Sequence, residues 1–201
     1  MKEIRIYVEG GGDKDSKAAI RAAFSQFLDE YRLRARSRRL RWDVIACGSR
    51  ESAYEKFIDA EDQHGDAFNV LLVDSEGPVQ GTARQHLTRV DRWKLNAVAD
   101  DQVHLMVEVM ESWFLTAPDK LAAYYGKGFA RGALPANPDV ESIPKAAVLD
   151  GLDQATRGTN KGRYQKGSHA PEILKLLNPA EVRAPYCERL MEVLDQRLSA
   201  L

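Results

Sequence analysis

The chain has 201 residues, of which 44% are hydrophobic and 29% charged, and a formal net charge of -1. That length suits one domain, or a core with an appended lobe, and excludes two full-sized domains. No stretch approaches the roughly 20 apolar residues of a membrane span, and the charge balance gives no global attraction to nucleic acid.

In chain order, residues 4–8 (IRIYV) form a short β-branched and aromatic run that ends in Glu-Gly-Gly-Gly, which reads as a buried strand closed by a tight turn. The N-terminus lacks the apolar run of a signal peptide, so a cytoplasmic protein is expected. From Ser16, taken as the cap, the apolar positions Ile20, Phe24, Phe27, Leu28 and Tyr31 recur at helical spacing. That helix is expected to end inside a cluster of six arginines between Arg32 and Arg41. Cations at a helix end complement its dipole, and such a run reads as a solvated face or as a docking surface for an acidic partner or nucleic acid away from the catalytic edge.

A second strand is predicted over 42–47, then a helix using Tyr54, Phe57, Ile58 and Glu61, then the strongest strand, 68–73. Residues 78–101 are expected to form a loop and a helix, and 103–109 a fourth strand. Strands alternating with helices predict a parallel α/β sheet with right-handed crossovers. Two short helices broken at Pro118 follow over 111–125. A Gly-, Pro- and Ala-rich loop or linker is expected over 126–144, and amphipathic helices over 171–177 and 186–201. The predicted division is a core over 1–125 with a linker and helical extension, 126–201, packed on it. Cys47 and Cys187 show no metal-ligand spacing and read as buried reduced thiols.

In an open parallel sheet, ligands bind outside the carboxyl ends of the strands. Glu9 directly follows the first strand, and Asp74 and Glu76 directly follow the third, so all three carboxylates are expected at one edge. Strand alternation would put Asp74 and Glu76 on one side, with Ser75 facing away. Clustered carboxylates raise one another's pKa unless a cation compensates, and oxygen ligands of this kind suit Mg²⁺ or Mn²⁺. Asp13 and Asp15 read as turn or cap residues instead. Gly10, Gly11 and Gly12 lack both the GxGxxG spacing and a GK[ST] ending, so they read as a tight turn or as room for a substrate beside Glu9.

Glu111, just past the fourth strand and so expected at the same edge, is a candidate fourth metal ligand or a helix-capping residue beside a core-packed Trp113 and Phe114; Glu108 is a weaker candidate. In RGTNKGRYQKGSH, the residues Lys161, Arg163, Tyr164, Lys166 and His169 offer phosphate-binding charge, an aromatic face and a proton donor, and Gly162 and Gly167 would let the loop close over the acids. The competing readings are a solvated loop, and a helix cap for His169.

An acid followed by Gly after the first strand, Glu9-Gly10, and the pair Asp74-Ser75-Glu76 after a later strand resemble the TOPRIM domain of topoisomerases, primases and overcoming-lysogenization-defect nucleases. The strings IYVEGGGD, LLVDSEGP, HLMVEVMESWFL and YQKGSHAPEILKLLNP resemble, over nearly the whole chain, the bacterial domain of unknown function family 4276, which is grouped with TOPRIM-like proteins. The resemblance implies a Rossmann-like sheet and a Mg²⁺-dependent (or Mn²⁺-dependent) nuclease or phosphotransfer site in a bacterial defence setting. Asp74 and Glu76 would be metal ligands and Glu9 a ligand or general acid/base; Glu76 stands where the motif usually has Asp. It also implies a separately encoded ATPase partner, since this chain has no Walker motif. Two rival readings stay open: a non-catalytic binding or regulatory module that partners the ATPase, and a receiver-like domain phosphorylated on Asp74.

Overall fold

The first strand, β1 (Glu3–Val8), lies parallel between β2 (Arg41–Ala46) and β3 (Ala67–Asp74), and β4 (Val103–Met106) adds to β3. The computed structural model describes residues 1–200. The strand order β2-β1-β3-β4 is all parallel, with Ile6 opposite Val44 on one side and Val70 on the other. This is the expected α/β class. Because both faces are covered, β3 is buried nearly throughout and apolar from Val70 to Val73, with buried Asn69 held by Glu61.

Alternation divides the strands between two cores. Ile4, Ile6, Val8, Val70 and Leu72 pack with Phe24 and Phe27 of α1 (Lys14–Phe27). Tyr7, Leu71, Val73 and Leu105 pack with Phe57 of α3 (Arg50–Gln63) and Leu87 of α4 (Ala83–Val90). Between α1 and β2 runs α2 (Asp29–Ser37), which ends inside the arginine cluster.

The cap of α1 is Asp13 and not Ser16. The Asp13 carboxylate accepts the Ser16 N–H at 2.8 Å, and the Ser16 hydroxyl returns to the Asp13 N–H. Asp satisfies the first-turn N–H groups and adds a negative charge where the helix dipole favours one. The fourth strand is also shorter than its apolar run. It stops at Met106 because Glu108 turns its carboxylate away to accept the Lys145 N–H at 2.7 Å. The chain then forms a 3-10 segment, Met110–Thr116, and α5 (Pro118–Tyr125), divided near Pro118 as expected.

Residues 126–144 hold only two short 3-10 turns, Arg131–Ala133 and Val140–Ser142. An unforeseen helix, α6 (Lys145–Thr156), follows, then α7 (Lys166–Leu174) and α8 (Pro185–Ser199). The α7 helix begins before the proline expected to open it, so Pro171 lies inside. Ile173 and Leu174 of α7 and Leu190, Leu194 and Leu198 of α8 join the core on the α1 face of the sheet. Cys47 and Cys187 are buried free thiols. Among the described residues, no helix is long and apolar enough to cross a membrane.

Candidate metal centre

From β1 the chain crosses to β2 on one side, whereas from β3 it goes on to β4 on the other, so the order reverses between β1 and β3. The carboxyl ends of those two strands border the crevice where such sheets bind ligands. Glu9 and Asp74 are the residues there. The Asp74 N–H donates to a Glu9 carboxylate oxygen at 3.1 Å, which locks the two strand ends together.

Asp74 is 2% exposed; one of its carboxylate oxygens accepts the Met110 N–H at 2.9 Å, and the other faces Lys166 Nζ at 3.3 Å. Glu76 reaches the same place by a route alternation did not predict. The strand ends at Asp74, and Glu76 takes a left-handed conformation, φ 61°, that turns its exposed side chain back. An L-residue holds that conformation at a cost of about 1 kcal/mol. One oxygen from each of Glu9, Asp74 and Glu76 lies within 4.8 Å of the others.

Burial, then the charge of Asp74, pushes the Glu9 carboxyl up to about 7. Burial likewise raises Asp74 to about 6, against the opposing pull of Lys166. Glu111 is fully buried beneath them: one oxygen accepts the Tyr164 hydroxyl at 2.7 Å, and the other has no hydrogen-bond partner, with Lys166 Nζ 3.5 Å away. Lys166 lies at the first turn of α7 with its stem exposed and its ammonium turned to the acids, whose charge raises its pKa. Trp113 and Phe114 are core residues, as expected.

The other basic-loop residues divide. Tyr164 and Lys166 reach the acids. Lys161 instead places its ammonium 4.5 Å from the centre of the Tyr124 ring, and Arg163 pairs with Asp153. His169 sits among Tyr124, Tyr125 and Tyr164, its Nδ1 3.0 Å from the Tyr125 hydroxyl. The loop that carries Gly162 is folded against the body by the bond from Tyr164 N–H to Thr156, and Gly167 belongs to α7.

Sequence reasoning missed three contributors. Lys145, the first residue of α6, pairs with Glu76. Arg50, at the start of α3, donates to the Asp74 carbonyl, pairs with Asp91 at 2.7 Å and stacks on Trp93. His86 meets the Ser75 carbonyl at 3.1 Å, and Ser75, whose hydroxyl donates to the Gly77 carbonyl, is buried.

All the donors are oxygens, and one buried oxygen of Glu111 lacks a partner, so the residues fit a hard divalent cation. The model of a family described as a domain of unknown function, DUF4276, matches residues 8–195. The chain belongs to this family. The matched span includes Glu9, Asp74, Glu76 and Glu111 and the α7 start that faces them. No curated protein and no solved structure matches the chain.

Proposed function

We infer that this chain is a Mg²⁺- or Mn²⁺-dependent, TOPRIM-like phosphodiester hydrolase acting on nucleic acid. The observation that carries this reading is the meeting of Glu9, Asp74 and Glu76 at the sheet's reversal point, with oxygens within 4.8 Å of one another. Asp74 and Glu76 would hold the ion, with Glu9 as a further ligand or as proton acceptor. A bound divalent ion would polarise a phosphoryl oxygen and lower the pKa of its water.

The chain's own groups supply the rest. Without the ion, burial and the Asp74 charge hold the Glu9 carboxyl at about 7; a bound cation would lower it and leave Glu9 ionised, able to serve as ligand or proton acceptor. Lys166 brings positive charge to the place where a phosphoryl group would meet Asp74. Glu111 orients Lys166 from below, with Tyr164 holding the Glu111 carboxylate. The family resemblance supports a bacterial defence role and a separately encoded ATPase partner, and the charged N-terminal residues support a cytoplasmic setting.

One observation favours a second reading, a non-catalytic regulatory module that partners such an ATPase. Lys145 and Lys166 already pair with Glu76 and Asp74, so the acids are balanced by internal cations. Phosphorylation of Asp74, as in a receiver domain, is opposed by its 2% exposure.

The test is end-labelled DNA and RNA incubated with the protein in Mg²⁺, Mn²⁺ or EDTA. Cleavage that needs the metal and falls at least 100-fold in Glu9→Ala and in Asp74→Ala is expected. Cleavage that survives both changes removes the site, and Mg²⁺ binding by calorimetry without any cleavage favours the regulatory reading.

A further inference from the structure

The exposed long side of the sheet is β2, an edge strand, and its surroundings differ in charge from the other edge. At its start, Lys2, Arg5, Arg38, Arg39 and Arg41 line a cavity of about 600 Å³ with His64 and two carboxylates, Glu3 and Asp66. Along its middle, Lys17 and Arg21 of α1 line a second cavity, of about 230 Å³, with Asp43 through Ala46. At its end, Lys17 Nζ lies beside Gly48, whose backbone pairs with Gly10, the residue after Glu9. Among the described residues, Lys17, Arg21, Arg39 and Arg41 make no ion pair, and Arg38 donates to the Leu198 carbonyl.

The β4 edge is the contrast. Three of its arginines are spent internally: Arg84 pairs with Asp100, Arg189 with Glu192 and Arg197 with Asp101, and α8 covers the strand; Arg89, on α4 beside Arg84, makes no ion pair among the described residues. Unpaired cations in a line that ends at the acidic crevice have a different use. We propose that the β2 edge, from Arg39 and Arg41 through Arg21 to Lys17, is a track for the phosphate backbone of a nucleic acid, delivering the strand to Glu9. This rests on the nuclease reading and adds the path the substrate takes.

Six residues of β2 span about 20 Å at roughly 3.3 Å per residue, so the cations are spaced to meet successive phosphates and not a single anion. Asp43 is the one exposed carboxylate of β2. No Phe, Tyr or Trp side chain lines either cavity and His64 is the one ring there, so recognition is mainly by phosphate and largely indifferent to sequence. Such binding weakens linearly in log–log with salt, by about 0.7 per phosphate contact on a single strand and about 0.9 on a duplex.

The test measures binding of a fluorescent oligonucleotide, single-stranded and duplex, to the full chain in EDTA over a salt series, so that no cleavage is needed. Arg21→Gln, Arg39→Asn and Arg41→Gln together are expected to weaken binding at least tenfold at low salt. They should also reduce the salt slope by about 2 on a single strand, three contacts' worth. The matched control, Arg84→Gln with Arg89→Gln and Arg189→Gln, removes the same charge from the β4 edge and should leave the slope unchanged. Equal losses in the two triple variants, or no loss at β2, overturn the track. Intact binding with no metal-dependent cleavage overturns the nuclease reading and leaves the track standing.

Discussion

Lys166 is the residue on which the acidic crevice balances. Its ammonium is 3.3 Å from Asp74 and 3.5 Å from Glu111, two carboxylates that are 2% and 0% exposed. Removing the cation of a buried pair leaves uncompensated charge, which costs about 3–5 kcal/mol when both partners are buried. The Lys166 side chain is half exposed, so water screens part of that. Lys166→Met is therefore expected to lose about 2 kcal/mol in urea denaturation with EDTA present, and Mg²⁺ should restore more stability to this variant than to the parent. A loss under about 0.5 kcal/mol would mean that Lys166 does not neutralise the site. Glu9, Asp74 and Glu76 were legible in the sequence because strand ends announce themselves by apolar runs followed by polar turn residues. Lys145 was not, because its pairing with Glu76 joins positions far apart in the chain and depends on how α6 docks.

At the scale of elements, α6 shows where pattern reading fails. Its apolar positions Val148, Leu152 and Ala155 have helical spacing and are buried, yet Gly151 interrupts the run and no element was expected there. The glycine answers a packing demand: a Cβ there would lie 2.6 Å from Cδ of Pro135 and 3.3 Å from the Ala133 carbonyl. Helix propensity alone would reward Gly151→Ala by about 1 kcal/mol. Overpacking against a rigid proline ring costs about 1–3 kcal/mol, so the clash wins and the variant is expected to be less stable by about 1 kcal/mol, read from chemical denaturation. A more stable variant would show that residues 126–144 give way easily. The same competition between local pattern and tertiary demand explains β4, whose apolar run outlasts its strand because Glu108 leaves to cap α6, and Ser16, which closes the capping box that Asp13 opens.

Across the whole molecule, the sheet was legible because strands buried on both faces must be apolar throughout, while the two-core division came from alternation that sequence also records. What no local pattern records is the balance of ionisable groups enclosed by folding. Glu9 and Glu141 are raised to about 7 and Asp74 to about 6, each mainly by burial, and His104 is lowered to about 4 by burial. A carboxyl raised on folding binds more protons folded than unfolded between its ordinary value and its folded one. Stability from these three groups is therefore present at acid pH and lost as pH rises through 6 to 7. His104 acts in the opposite sense: its contribution is full above about 6.5 and is lost as pH falls towards 4. Three groups outweigh one, so the metal-free protein is expected to lose stability as pH rises from about 4 to 7, by about 2–4 kcal/mol between pH 5 and pH 8 once solvent screening is allowed for. Glu141 isolates one share of this away from the acidic crevice, since its carboxylate accepts the Tyr186 N–H at 2.9 Å in the first turn of α8. In Glu141→Gln the amide oxygen can keep that bond without a charge to bury. The variant is expected to match the parent at pH 5 and to exceed it by about 1 kcal/mol at pH 8, measured by urea titration in EDTA. Loss of stability at pH 8 would mean that the carboxylate's attraction to the α8 N-terminus outweighs the cost of burying it.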